Sequence, residues 1–263
     1  MLWLIETDVF DDTYKVRMSA AIRSTGHTLR LWDDAWWDDG LPRVRGPVMF
    51  HGSLGNAAAI KARCPSWAPG ALCDVNAFRC STWYPRADRW LLHARHRTLP
   101  AQQLVADAAA VYRSVGAGDA AFVRPDSPLK PFSGRVISAS AMSLSALDHG
   151  IYWEDDQLPV VVAPLRDIGR EWRFVIVNRQ VVTGSGYIAE GRQADAAEPT
   201  GAPWRLAAEI AAHIAPPEPA YVLDVCEADG ALHLLELGPL SGADLYGCDL
   251  SAVVSAVSDM FES

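Results

Sequence analysis

Phe122-Val-Arg-Pro-Asp-Ser-Pro-Leu-Lys-Pro-Phe-Ser-Gly134 holds one of only three lysines in a chain that carries 20 arginines. A sequence that uses Arg wherever a cation serves, yet keeps Lys130 in a proline-rich loop, points to a place for a compact point charge. Lys suits a phosphate oxygen in that way, whereas Arg favours planar, forked contacts. A nucleotide phosphate is therefore the first ligand to weigh. An ordinary solvated loop residue is the alternative, as for most lysines.

Short apolar stretches surround this loop. Residues 120–124 and 135–140 read as strands flanking it, and 160–163 as a fully apolar strand stopped by Pro164. Residues 171–177 and 181–187 read as a hairpin around Asn178-Arg179, and 221–227 and 232–237 as a second hairpin. Between them, 203–215 reads as a helix with Leu206, Ile210 and Ile214 in register, after an Ala/Gly/Pro-rich linker near 191–203. The last helix begins near Asp249, a good N-cap. This half is antiparallel α+β. The first half differs: strands at 2–5, 28–32 and 48–51 alternate with helical stretches at 11–25 and after Gly52. That alternation predicts a βαβ unit with a parallel sheet. Residues 64–90 read as an irregular connection, and 100–115 as one helix with Leu104, Ala108 and Val111 on a stripe.

Half of the 263 residues are apolar, enough for a sizeable core and for two or three small domains. The net charge of −9 argues against general nucleic-acid binding. The N-terminus has no basic signal-peptide region, and no run of 18 apolar residues predicts a spanning helix. Five cysteines without metal-ligand spacing predict structural, reduced thiols and a cytoplasmic location. Trp32 to Gly40 alternates aromatic and acidic residues, which suits a solvated loop over tucked tryptophans better than a metal or peptide site. Gly52-Ser53-Leu54-Gly55 follows a strand and suits either a ligand cradle or a plain strand-to-helix turn.

Asp224 and Glu236 interrupt the apolar strands of the last hairpin, a costly position unless they are paired or bind a cation. With a three-residue loop, Ala228-Asp229-Gly230, Asp224 faces Leu234 and Glu236 shares its face, about 7–8 Å away on the diagonal. One or two divalent cations could bridge that span. A tighter Asp-Gly turn would send the two acids to opposite faces. In the middle hairpin Glu171 and Arg173 share one face, with Trp172 and Phe174 on the other. A salt bridge and a contact to a polyphosphate both suit that Arg.

In their order and spacing, residues 118 to 250 resemble the ATP-grasp family, in which two α+β units clasp ATP. The match runs from a strand cation, Arg124, through the loop Lys130-Pro-Phe-Ser133-Gly134 over the phosphates. It continues with an apolar strand, Val160-Val-Val162-Ala163-Pro-Leu165, whose backbone would pair with adenine. Glu171-Trp-Arg173 matches the strand with the phosphate-binding Arg, and Asp224 and Glu236-Leu-Gly238 match the magnesium ligands. Two departures stand out. Arg124 occupies a usual lysine position, as in a described clade, and Gly238 replaces the usual metal-binding Asn. The first 115 residues resemble the βαβ domain that often precedes such a module.

The resemblance implies an α/β domain over 1–115, a lid subdomain over 116–163 and a C-terminal subdomain over 164–263. It implies ATP and magnesium as cofactors, with Arg124 and Lys130 on the α- and β-phosphates. Arg173, with Lys130 the catalytic cation, would meet the transferring phosphoryl. The implied reaction joins a small-molecule or peptide carboxylate to an amine through an acyl phosphate, releasing ADP and phosphate. No side-chain nucleophile is needed, and none of the histidines is assigned a role. Ser53, Asn56, Ser241 and Tyr246 are the substrate candidates, and the arginines at 166, 170 and 173 suggest an anionic substrate. The missing Asn motivates an alternative, a nucleotide-binding module without ligase activity. A phosphotransferase to a hydroxyl is a further one.

Overall fold

The structure, a computed structural model, describes residues 1–148, 156–187, 194–195 and 199–262. The N-terminal residues fold as their alternation predicts. Strand β1 (Leu2–Ile5), helix α1 (Asp12–Ser24), strand β2 (Thr28–Leu31), the single-turn helix α2 (Trp36–Asp39), strand β3 (Val48–His51), helix α3 (Leu54–Arg63) and the short strand β4 (Pro69–Gly70) follow one another. The strands form a parallel sheet in the order β2-β1-β3-β4. Asp11 starts α1 by accepting the Tyr14 amide, and Ser53 starts α3 by accepting the Asn56 amide.

Next come helix α4 (Cys80–Ala87), strand β5 (Arg97–Pro100), helices α5 (Ala101–Ala106) and α6 (Ala108–Val115), strands β6 (Ala120–Pro125) and β7 (Arg135–Ser138), helix α7 (Leu144–Asp148) and strand β8 (Pro159–Ala163). Their strands form an antiparallel sheet in the order β5-β8-β6-β7. Two expectations are corrected here. The stretch read as irregular contains α4, and the single helix expected over 100–115 breaks at Asp107. That residue leaves helical dihedrals (φ −151°) and caps α6 with its own carboxylate through the Ala110 amide. A short acidic side chain competes with helix propagation in this way.

The chain closes with strands β9 (Ile168–Val177), β10 (Gln180–Tyr187) and β11 (Ala194–Asp195), helix α8 (Ala202–His213), the hairpin of β12 (Ala220–Ala228) and β13 (Ala231–Pro239), and helix α9 (Leu250–Glu262). This sheet runs β11-β10-β9-β12-β13. Much of the linker expected near 191–203 lies outside the described residues.

Contacts divide the chain into two compact units. One gathers Met1–Asp74, Arg170–Cys226 and Glu236–Ser263, and the other Val75–Gly169 with the hairpin tip Glu227–Leu235. Ile5, Met18, Ile22, Val175, Val222 and Val254 belong to one hydrophobic cluster of the first unit. Parallel sheet, five-stranded sheet and last helix thus bury apolar faces in a common core.

His51 ends β3 inside that unit at 1% exposure. Its ring stacks on Phe10, and its Nε2 lies 2.8 Å from the Tyr14 hydroxyl. Burial pushes its pKa from 6.5 down to about 4. The unfolded chain therefore binds the proton near pH 6.5, while the folded one waits until about 4. Stability is full above the unfolded value and falls as pH drops. Thermal unfolding midpoints should fall by several degrees between pH 7 and pH 5, about 2 kcal/mol from this group. His51→Gln should flatten the dependence, and an equally steep slope in that variant would remove His51 as its source.

Candidate active site

The loop of Lys130 is anchored at its root. Asp126 is almost fully buried and accepts from the Ser81 amide at 2.7 Å and the Ser81 hydroxyl at 3.0 Å, while its carbonyl takes the Cys80 amide. It thereby caps α4, which the sequence reading had not placed, and ties the end of β6 to it. Beyond it the chain emerges: Lys130 and Ser133 are exposed, and Lys130 takes a positive φ of 48°. Lys15 and Lys61 sit in ion pairs with Asp12 and Glu218. Phe132 turns back into the core of the second unit. At Gly134 a Cβ would lie 2.7 Å from the Phe122 ring, so a larger residue there would push the loop off β6. Arg124 is half-buried on that strand.

The apolar strand β8 lies between two neighbours. Val162 pairs with Arg97 and Val123, and Ala163 with Phe122. Val162 is thus held on both edges, and the ladder ends at Ala163. Leu165, beyond it, is 47% exposed despite its apolar side chain.

In the first unit, Arg173 and Asp224 meet directly. Nε donates to Oδ1 at 2.8 Å and Nη2 to Oδ2 at 2.6 Å, a bidentate pair, and Nη1 donates to the Asp244 carbonyl at 2.8 Å. The rings of Tyr246 and Tyr187 flank the guanidinium at 5.1 and 6.0 Å and stack on each other. Burial opposes the charge, but the Asp224 carboxylate outweighs it and raises the pKa of Arg173 well above its ordinary value. Beside them the Tyr187 hydroxyl donates to Glu171 at 2.6 Å. Burial, then the charge of Asp224, raises the Tyr187 pKa. Glu171 and Arg173 share a face as the alternation predicts, and Trp172 and Phe174 are buried.

The last hairpin turns more tightly than expected. β12 ends at Ala228 and β13 begins at Ala231, and Asp229 (φ 53°) and Gly230 (φ 75°) form a two-residue turn of the I′ kind. From that turn alone the two acids would point to opposite faces. Further along, a Cβ on Gly238 would approach Val222 Cγ2 to 3.0 Å, so these two positions look to one side. Strand alternation carries Asp224 and Glu236 to the same side, which requires a one-residue offset in the pairing. Glu236 is half-buried there. Magnesium wants several oxygens, yet both Asp224 oxygens accept from Arg173, and no group of three His, Cys, Asp or Glu converges among the described residues. As arranged, the pair does not fit a magnesium site. Asp224 holds Arg173.

Three of the four substrate candidates support the local structure away from Arg173. Ser53 caps α3. Asn56 accepts from Trp37 Nε1 and donates to Asp34. Ser241 is fully buried, and its hydroxyl oxygen accepts the Leu72 amide. Tyr246 alone adjoins the Arg173 group. A cleft of roughly 480 Å³ opens at the carboxyl ends of β1 and β2, lined by Glu6, Asp8, Arg30, Trp32 and Asp33 among others.

The profile of an ATP-grasp domain, the second family of its clade, matches residues 101–256, more than half of the chain. The chain belongs to this family. Solved structures share its fold across nearly its full length. D-cycloserine synthetase DcsG is 15% identical over 99% of this chain and 100% of its own, with a TM-score of 0.63. A RimK-domain ATP-grasp protein from Sphaerobacter thermophilus is 13% identical over 100% of both, with a TM-score of 0.64. The ATP-grasp ligase PsnB, complexed with a minimal precursor, is 12% identical over 98% of both, with a TM-score of 0.55. No curated protein sequence matches. As an ATP-grasp protein the chain is by class an ATP-dependent ligase. Among the described residues no helix is long and apolar enough to cross a membrane.

Sequence reasoning missed Asp126 as the root of the Lys130 loop, and Tyr187 and Asp244 as neighbours of Arg173. Only Asp126 had a visible signal, an acid just after a strand in a Pro-rich loop. If Asp224 is the partner of Arg173, Asp224→Asn should cost about 3 kcal/mol of stability, because a buried charge loses its counter-ion. It should depress turnover equally at low and saturating magnesium. Recovery at high magnesium would make Asp224 a metal ligand. Gly238→Asn should restore no metal site and instead lower stability by about 1–2 kcal/mol, since its Cβ would crowd Val222. An unchanged melting midpoint would contradict this.

Proposed function

We propose that the protein joins a carboxylate to an amine through an acyl phosphate, releasing ADP and phosphate. The observation that carries this reading is the fixed guanidinium of Arg173. Three of its N–H groups are committed to Asp224 and Asp244, and an arginine has five. The remaining two sit in a largely buried setting, already oriented. A donor held in place before charge develops stabilises a transferring phosphoryl and an acyl oxygen without reorganisation.

The other roles follow from position and chemistry. Arg124 and the exposed Lys130 would bind the α- and β-phosphates, with Ser133 and Gly134 completing the loop. Leu165 offers an apolar surface for adenine, and Ala163 the last ladder position before it. Val162 supports the strand. Glu171 would orient Tyr187 beside Arg173. Glu236 is the carboxylate proposed for the magnesium that accompanies ATP, and Asp224 would join it only by releasing Arg173. Tyr246 is the proposed substrate contact. The precursor peptide in another PsnB complex makes peptide carboxylates a natural part of the panel to be tested.

ADP release should be followed with ATP, magnesium and a panel of amino acids and short peptides. Release that requires both an acid and an amine is expected. Arg173→Lys should reduce turnover by about 100-fold or more, with a smaller effect on ATP affinity. AMP and pyrophosphate as products would overturn the acyl-phosphate route. ADP formed with a hydroxyl acceptor alone would favour phosphotransfer.

A further inference from the structure

Arg17 is an exposed residue of α1, set between the buried Tyr14 and Met18. Its guanidinium reaches two carbonyls far along the chain. Nη1 donates to the Tyr246 oxygen at 2.6 Å and Nη2 to that of Cys248 at 3.1 Å. An ionised donor binds a carbonyl more strongly than a neutral one does, so the fork fixes backbone. Tyr14, one turn earlier on α1, faces the same region: Asp244, Cys248, Arg17 and Arg173 all act on its buried hydroxyl.

The two carbonyls belong to the segment from Asp244 to Cys248, which carries two groups that touch Arg173. The Asp244 carbonyl accepts from Arg173 Nη1 at 2.8 Å, and the Tyr246 ring lies 5.1 Å from the guanidinium. Tyr246 itself has a φ of 45°. Left-handed backbone is uncommon for a bulky residue and persists where the surroundings over-determine it. Here the amides of the turn are held from three sides. The Asp244 side chain accepts the Tyr246 amide at 2.8 Å, the Ser185 hydroxyl the Gly247 amide at 3.0 Å, and the Thr183 hydroxyl the Asp249 amide at 3.0 Å. Arg17 holds carbonyls of the same turn from α1.

We infer that Arg17 is a positioning residue for the reaction: by holding the Tyr246 and Cys248 carbonyls it keeps Tyr246 in its left-handed turn, and with it the Asp244 carbonyl that orients Arg173. The inference rests on the roles proposed above for Arg173 and Tyr246 and extends them to a residue outside the site. Without Arg17 the turn relaxes, the Asp244 carbonyl shifts, and the N–H groups of Arg173 that face the transferring phosphoryl lose their aim. Misplacing such a donor by about 1 Å costs turnover up to about 100-fold. ATP binding rests on other residues and changes little.

Arg17→Gln removes the charge and the fork, while Arg17→Lys keeps the charge and reaches one carbonyl at a time. Turnover is followed as ADP release from magnesium-ATP with the acid–amine pair that the panel identifies. It should fall about 10-fold in Arg17→Gln with the KM for ATP within about twofold of the wild type, and Arg17→Lys should recover part of the loss. A second readout needs no turnover. In the full chain with isotope-labelled arginine, solvent exchange of the Arg173 Nε–H should accelerate about 10-fold in Arg17→Gln, while backbone amides of β9 exchange as in the wild type. Unchanged turnover and unchanged Nε–H exchange overturn the inference and leave the ligase reading standing. Equal acceleration at the Nε–H and at the β9 amides reduces Arg17 to general stability and overturns it as well. If the wild type releases no ADP in response to acid and amine, yet Nε–H exchange accelerates selectively in the variant, the ligase reading fails and the positioning of Arg173 by Arg17 stands. Should Arg17→Gln fail to fold, both measurements are made on Arg17→Lys and read in the same way.

Discussion

The buried pair of Arg173 and Asp224 is the constraint on which most of the first unit depends. Taking two such charges out of water costs several kcal/mol each, and only close, bidentate geometry with further hydrogen bonds offsets it. The structure supplies all of these. β9 and β12 must be neighbours for the two side chains to meet, and the chain must return at Asp244 to give the third acceptor. The segment that returns is held at every step. Arg17 donates to the Tyr246 and Cys248 carbonyls, the Ser185 hydroxyl takes the Gly247 amide, and the Thr183 hydroxyl takes the Asp249 amide. That positions Tyr246 over Arg173 and starts α9, whose apolar side then seals the common core.

The second unit treats its charges differently. Asp126 is satisfied by α4, which stiffens the root of the Lys130 loop while the tip remains exposed. Around Phe122, arginine and histidine side chains collect, and His93 and Arg166 each keep a buried nitrogen without a hydrogen-bond partner. The first unit thus neutralises its buried Arg173 with its own acid, and in the second Arg166 pairs with Asp229.

Much of the fold was legible because it obeys short-range rules. The alternation of apolar strands and helices in the first 63 residues reports a parallel sheet, since β1 and β3 are short apolar runs and α1 buries one stripe. The scarcity of lysine singled out Lys130, and the acids within apolar strands singled out Asp224 and Glu236. What failed also has physical reasons. The helix α4 has weak periodicity and begins where a distant carboxylate, Asp126, caps it. Asp107 breaks a helix that its neighbours would continue. The hairpin loop was read one residue too long, and the offset that later restores the facing of Asp224 and Glu236 leaves no mark in the residues. Ser53, Asn56 and Ser241 looked like ligands because their hydroxyls and amides are polar. Their partners, a helix start, a tryptophan and the Leu72 amide, come from folding.

By itself the sequence determined which residues could bear charge into apolar strands, and in what order along the chain, because those choices are written locally in composition and period. Only the tertiary structure decided what each charge meets. Whether Asp224 faces a metal ion or an arginine turns on a strand neighbour 51 positions away. That His93 stacks on Phe122 beside Arg124 and Arg166 turns on strands and loops distant in the chain. Electrostatic energies depend on distance and on exclusion of water, and both come into being only when the chain has packed.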